Sequence, residues 1–156
     1  MATTAVPAAI NALLEILGSA PALADVRIID GPPTEDMSDE DLVCIGWAPG
    51  DEQASAESVQ DFAYAGARAR DEDLTITGWA ESWSGEEEFA DRRARAYELL
   101  AVIENALRAT EAQPEAPTLN GTVQWAHLIR HRLQQLFTDS GSRVGIAFTI
   151  GCRARI

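Results

Sequence analysis

Apolar and other residues alternate strictly over residues 143–156, the last segment of this 156-residue chain. One set of alternate positions is apolar throughout, and the other carries Arg143, Arg153 and Arg155 among small residues. A period of two residues is typical of a half-buried strand. At roughly 3.3 Å per residue the strand would be about 40 Å long, beyond the usual ~3–10 residues. We therefore predict a strand that crosses the whole domain or projects past it to pair with another chain.

The charge of the protein is unevenly distributed along the chain. The net charge is −13, which disfavours tight binding to a nucleic-acid backbone or an anionic membrane. Residues 1–121 contain 24 acids and 7 arginines, whereas residues 122–156 contain 5 arginines and one acid. An acidic body with a basic C-terminal segment can attract copies of itself or an unlike partner. The same charges also suffice simply to keep the protein soluble.

Length and cysteine usage predict one domain, spanning residues 1–156, made in the cytoplasm. Cys44 and Cys152 both lie in apolar runs, so we expect two reduced thiols in the core. No run approaches the ~18 apolar residues of a membrane span. A signal peptide is not expected, because the N-terminus lacks a basic region and Glu15 interrupts its apolar run.

Two helices and four short strands are predicted before the C-terminal segment. The first helix begins near Thr4 and Pro7 and ends at Gly18. The strands are expected at residues 26–29, 42–47, 58–65 and 74–83, with acidic loops at 34–41 and 48–57 and a charged connection at 68–73. Ser84 and Glu87 match a capping box, which predicts a long amphipathic helix from there to about Thr110.

Residues 119–137 fit two structures. Trp125, Ile129, Leu133 and Phe137 match both helical i, i+4 spacing and alternate positions of a strand. A turn-like sequence follows at residues 139–142, and the long strand after it needs a partner. We therefore predict a strand bulged around residues 130–132. The fold class is α/β (α+β), with a mixed or antiparallel sheet, a long C-terminal β-hairpin, and one long and one short α-helix packed against it.

Little in the sequence points to catalysis. His127 and His131 would share one face of a helix, as in a zinc site, but they would lie roughly 13 Å apart on a strand. No glycine-rich phosphate loop or nucleophile elbow is present, and the acid pairs lie in polar surroundings. We expect no enzyme, no catalytic or cofactor-binding residues and no metal. A small metal-dependent enzyme using the two histidines is the alternative, which a zinc assay would test.

Two tryptophans share one face of the predicted fourth strand. Trp79, Glu81 and Trp83 lie on one side of it, and Gly78 and Ala80 lie on the other. Tryptophans in this arrangement more often form a core or a subunit contact than a ligand cage.

The layout of the chain resembles the tail terminator (tail completion) proteins of long-tailed bacteriophages and related phage-tail-like particles. The resemblance is carried by residues 42–47, by the Trp79–Trp83 strand leading into the helix after Ser84, and by residues 122–156 with their Ala154-Arg155-Ile156 ending. These segments cover a little over half of the chain. The order of helix, strands, long helix and closing hairpin is also shared.

The resemblance implies a structural virion protein at the head-proximal end of the tail. It would form a homo-oligomeric ring, typically six-fold, that caps the tail tube, ends its polymerisation and offers a surface for joining the head. Its partners would be the tail tube protein and the head–tail connector or neck proteins. DNA would pass through the lumen without tight binding, as the acidic composition allows. The family has no catalytic residues to carry over.

Aromatic and arginine side chains are enriched in subunit and partner contacts. The candidates from the sequence are Trp79, Trp83, Arg130, Arg132, Arg143, Arg153 and Arg155.

Two other functions remain open at this stage. A head-completion or neck protein of similar layout would also belong to the virion. A non-viral cytoplasmic α/β binding protein, such as an adaptor or immunity protein, would use the Trp79 and Trp83 face as its partner site and form no ring.

Overall fold

The computed structural model describes residues 2–34, 41–50, 54–84, 88–138 and 141–156. In these ranges, two α-helices pack against one face of a six-stranded mixed sheet, which confirms the predicted fold class. The elements in chain order are α1 (Val6–Gly18), β1 (Arg27–Asp30), β2 (Leu42–Ile45), β3 (Ala56–Phe62), β4 (Arg70–Ser84), α2 (Phe89–Ala106), β5 (Trp125–Thr138) and β6 (Gly141–Arg155).

The sheet is built around β4 and β6, which pair along almost their whole length. Its order is β1-β2-β4-β6-β5, and β3 pairs with the part of β4 that β2 leaves free. Among the strands that the structure describes, only the β1–β2 pair is parallel; the other pairs are antiparallel. The two edges of the wide part of the sheet are therefore β3 on one side and β5 on the other.

The helices cover the face of the sheet that we call the helix face. The apolar alternate positions of β6 point to it, and Ile146, Phe148 and Ile150 are completely or almost completely buried there. The alternation in residues 143–156 thus predicts both the strand and its buried face correctly. Helix α1 adds Leu13, Leu17 and neighbouring apolar residues to the same core, as its spacing predicts.

Helix α2 is shorter than predicted. It starts at Phe89 with Glu88 as its N-cap, and it ends at Ala106 rather than near Thr110. The predicted capping box at Ser84 is wrong, because Ser84 is the last residue of β4 and its backbone pairs with that of Ser142. Glu87, the other residue of the box, lies outside the described residues. The apolar stripe of the helix is confirmed by the burial of Ala96, Leu99, Leu100 and Ile103.

Strand β4 begins four residues earlier than predicted, at Arg70, inside the charged run that we expected to be a connection. The acids of this run find partners in the sheet. Asp71 and Asp73 lie beside Arg153 and Arg155 of β6. The remaining short strands lie near their predicted positions, with β1 shifted by one residue and β3 and β2 ending early. Residues 35–40 and 51–53 of the acidic loops lie outside the described residues.

Glu72 joins helix α1 to the sheet. Its side chain has no solvent exposure, and its carboxylate accepts hydrogen bonds from the backbone N–H of Ala5 and from the side chains of Thr4, Ser58 and Gln60. Burial opposes ionisation of Glu72, but these four hydrogen bonds outweigh it and hold the pKa of the carboxyl below its ordinary value. A buried carboxylate thus serves as the acceptor for the start of α1, where the backbone N–H groups lack helical partners.

Residues 125–138 form a strand, as predicted, and the strand is bulged. The irregularity lies between Leu128 and Arg130, so the extra residue is Ile129 and not one of residues 130–132. Because one extra residue reverses the alternation, every side chain after Ile129 points to the opposite face from the one that uninterrupted pairing would give. Residues 139 and 140 of the expected turn are not described.

Glycines in β4 and β6 make room for aromatic rings. A Cβ at Gly78 would lie 2.2 Å from the ring of Phe148 on the helix face, and a Cβ at Gly145 would lie 1.9 Å from the ring of Trp79 on the other face. Cys44 and Cys152 are buried free thiols, as predicted, and burial raises the pKa of each to about 12. No helix in the described ranges is long and apolar enough to cross a membrane.

Candidate functional site

The face of the sheet opposite to the helices is the one we call the open face. It carries the odd-numbered side chains of β4 and β6, together with β5 residues paired to them. The register places all seven candidate interface residues on this face: Trp79, Trp83, Arg130, Arg132, Arg143, Arg153 and Arg155. The structure therefore brings together residues that lie far apart in the sequence, but their environments differ.

Trp79 is a core residue of the open face. It is only 4% exposed and packs with Leu42, Cys44 and Ala48 in a small second core. Its side chain therefore offers almost no surface to a partner. Trp83 is half-buried, and its indole Nε1 is shielded from solvent without a hydrogen-bond partner in the described part of the chain. Of the two tryptophans, Trp83 retains the larger capacity for a further contact.

Three of the candidate arginines form ion pairs within the chain. Arg153 contacts Asp73 at 2.8 Å and Asp71 at 3.2 Å, and Arg155 contacts Asp71 at 2.8 Å. The hydrogen bond from Arg155 lowers the pKa of Asp71, with further help from the charges of Arg155 and Arg153. Arg153 and Arg155 of β6 are thus already paired with acids of the neighbouring strand β4.

Arg143 pairs with the largely buried Glu81, at an Nε–Oε1 distance of 3.5 Å. Burial raises the pKa of Glu81. The charge of Arg143 and a hydrogen bond from Trp79 both lower it, but together they do not offset the effect of burial. Burial therefore works against the charged form of Glu81 in this pair. It lies beside Trp83, which is the cross-strand neighbour of Arg143.

Arg130 and Arg132 differ from the other three. Both are exposed on β5, and neither forms an ion pair with another described residue. The bulge at Ile129 places them opposite Thr149 and Ala147, and therefore on the open face. They are the arginines of the candidate set that remain available to a partner.

The two strands at the edges of the sheet expose large apolar side chains. The sequence analysis did not identify these residues as a site. The sequence of β5 did indicate exposed apolar residues. Apolar residues occur at both the odd-numbered and the even-numbered positions of this strand, so neither of its faces is wholly polar. The exposed set on and next to β3 is Val59, Phe62 and Tyr64, and the set on β5 is Trp125, Ile129, Leu133, Leu136 and Phe137.

A shallow groove runs across the open face between the two edges. One part, of about 380 Å³, is lined by Val59 on β3 and by Trp125 and Ile129 on β5, with Gly151 among its lining residues. The adjoining part, of about 450 Å³, is lined by Glu57 on β3 and by Arg130 on β5, among others. The groove is apolar at one end and flanked by opposite charges at the other.

The two histidines do not form a common site. His127 pairs with Gly151 and stacks on Trp125 at 5.0 Å between ring centroids, whereas His131 pairs with Phe148 and contacts Tyr97 of α2 at 5.6 Å. Because Gly151 and Phe148 lie on opposite faces of β6, the two imidazoles also lie on opposite faces. Among the described residues, no group of three or more His, Cys, Asp or Glu side chains is arranged to hold a metal ion.

The chain was also compared with known proteins. No protein-family profile matches it, and a comparison with curated proteins finds no match.

Proposed function

We propose that this protein is a tail terminator, which caps a phage tail tube as a ring, stops its polymerisation and provides the surface for joining the head. The observation that carries the proposal is the β5–β6 hairpin. Its strands extend over 14 and 15 residues, and β5 lies at the sheet edge with apolar and basic side chains exposed. A long edge strand offers unpaired backbone groups with which another chain can pair, and here it also exposes apolar side chains.

The electrostatic character of the chain supports the same role. A ring around the DNA path must let the duplex slide, and a net charge of −13 makes tight phosphate binding unfavourable. The exposed arginines Arg130 and Arg132 are accompanied by several exposed apolar side chains, as in protein–protein contacts.

Immunoelectron microscopy of particles from the producing culture tests the proposal directly. Antibody raised against this chain should label the head–tail junction and the upper end of headless tails. Label at the distal tip would instead indicate a baseplate component. Absence of label from all particles would overturn the virion assignment and favour a cytoplasmic binding protein.

A gene deletion separates a terminator from a neck protein. Loss of the terminator should give tails of excess and variable length, because polymerisation is no longer stopped. Loss of a head-completion protein should give tails of normal length and unjoined heads. Complementation with the wild-type gene is the control, and normal tail length in the deletion would contradict the proposal.

A further inference from the structure

The two edges of the sheet are complementary in charge. On the open face, β3 carries Glu57 and Asp61, and β5 carries Arg130 and Arg132. All four side chains are exposed, and none forms an ion pair with another described residue. Unlike charges at opposite ends of one sheet cannot neutralise each other within the chain, because β4 and β6 lie between them. Glu57 and Arg130 flank the same groove without meeting.

Both edges are also apolar and unpaired. In the described ranges, β3 pairs only with β4 and β5 pairs only with β6, so each strand has one side of free backbone N–H and C=O groups. Phe62 of β3 is 71% exposed and Phe137 of β5 is 65% exposed. Each edge therefore combines free hydrogen-bonding groups and exposed apolar area with one sign of charge. The charges lie on the open face, whereas Phe62 and Phe137 lie on the helix-face side of their strands.

We propose that copies of this chain associate head-to-tail, with the β5 edge of one copy against the β3 edge of the next. This contact between neighbouring copies does not depend on the proposed function. Only the closure of successive contacts into a ring rests on it. Contacts between two different patches of the same protein produce rings or filaments, whereas a patch that contacts itself produces a closed dimer.

The strand directions are compatible with this contact. Each neighbouring pair from β3 through β4 and β6 to β5 is antiparallel, so β3 and β5 run in opposite directions. A neighbour placed beside the first copy in the same orientation therefore brings its β3 antiparallel to β5, and the antiparallel sheet continues across the boundary. The open faces then lie on the same side, so the acids of the β3 edge of one copy and the arginines of the β5 edge of the other project from the same face of the boundary. Through the register, Glu57 lies at the level of Gly151 and Arg130 at the level of Thr149, so Glu57 of one copy comes nearest to Arg130 of the other.

A symmetric contact is disfavoured by the same charges. Pairing β5 with β5 would bring four arginines together, and pairing β3 with β3 would bring four carboxylates together. Like charges facing each other across a strand pair are destabilising. The charge distribution therefore selects the unlike edges.

A charge-swap experiment on the full chain tests the contact. The first variant is Arg130→Glu with Arg132→Glu, and the second is Glu57→Arg with Asp61→Arg. Each variant presents the same sign of charge at both edges, so each alone should associate about 100-fold more weakly than the wild type in sedimentation experiments at low salt. An equimolar mixture should recover assembly, because each edge of one variant then meets an opposite charge on the other.

The variant carrying all four changes should assemble by itself, since both edges are reversed together. Arg130→Glu alone is compared with Arg108→Glu, which makes the same change of charge at an exposed residue just after the end of α2 and should leave association unchanged. Circular dichroism verifies folding of every variant. If a charge reversal unfolds the chain, the milder changes Arg130→Gln and Glu57→Gln replace it.

Three results would overturn the inference. They are a wild-type chain that stays monomeric at all concentrations, a mixture no tighter than its components, and a first variant that assembles like the wild type. Loss of association in the first variant but not in the second would be a fourth such result, because it would place the contact at β5 without β3. Antibody labelling of tails is independent of these results, so failure of the contact and failure of the proposed function are distinguishable.

Discussion

The two faces of the central sheet are formed by the same two strands but have different roles. On the helix face, β4 and β6 contribute apolar side chains to a core shared with α1 and α2. On the open face, the same strands carry ion pairs, a small tryptophan core and a shallow groove. The helix face therefore supplies stability, whereas much of the open face and its two edges is surface left for contact.

Removing an aromatic ring should give the largest difference in the free energy of unfolding between the two faces. Phe148 is buried on the helix face, and Trp125 on the open face is 42% exposed. Phe148→Ala should lower the free energy of unfolding by about 3–5 kcal/mol, because it leaves a cavity in a packed core. Trp125→Ala should cost about 1 kcal/mol or less. Urea denaturation measures both, and equal losses would contradict the distinction.

Overpacking tests whether any part of the open face is as rigid as the core. A Cβ at Gly145 would collide with the buried ring of Trp79, whereas one at Gly151 would meet the side chain of Ile129, which is half-exposed and free to move. Gly145→Ala should therefore cost about 2–3 kcal/mol and Gly151→Ala less than about 1 kcal/mol. Thermal unfolding of the two variants provides the comparison, and a larger loss for Gly151→Ala would refute it.

Two buried carboxylates of β4, one on each face, should respond to pH in opposite directions. The pKa of Glu72 is lowered from its ordinary value of 4.5. Its stabilising contribution is therefore present above that value and is lost as the pH falls through the folded pKa. Burial raises the pKa of Glu81, so its favourable contribution is present at low pH and is lost as the pH rises through the folded pKa.

Replacing each carboxylate by its amide should show this difference at pH 7. Glu72→Gln should cost about 1–2 kcal/mol, because charge-assisted hydrogen bonds to Ala5 and Ser58 become neutral ones. Glu81→Gln should increase stability, because it removes a desolvated charge. Denaturant unfolding between pH 4 and 8 checks both signs, and loss of stability in Glu81→Gln would show that its pair with Arg143 outweighs burial.

The smallest effect on stability is expected at the β5 edge. Leu136 is about half-exposed on the open face, and Leu136→Ser should change the free energy of unfolding by less than about 0.5 kcal/mol. The same change should reduce self-association, which sedimentation at increasing concentration measures. A stability loss as large as that of Gly145→Ala would indicate that this leucine belongs to the core.

Most of the elements followed from local patterns, because strand and helix periodicities are properties of consecutive residues. The alternation of residues 143–156 predicted β6 and its buried side, and the spacing of Leu13 and Leu17 predicted α1. The start of α2 was mispredicted because Ser84 satisfies a local capping pattern while the β4–β6 ladder holds it in the sheet. The charged start of β4 was missed because its neutralising arginines lie about 80 residues away.

The candidate site could be predicted only as a set of residue types. The sequence by itself determined that tryptophans and arginines would lie on alternate positions of strands, since alternation depends only on the pleat of the backbone. Only the tertiary structure decided which of them remain available. Pairing of β4 with β6 engages Arg143, Arg153 and Arg155, packing buries Trp79, and the bulge at Ile129 turns Arg130 and Arg132 toward the open face. These outcomes depend on which strands become neighbours, and that is decided by long-range contacts that no local pattern encodes.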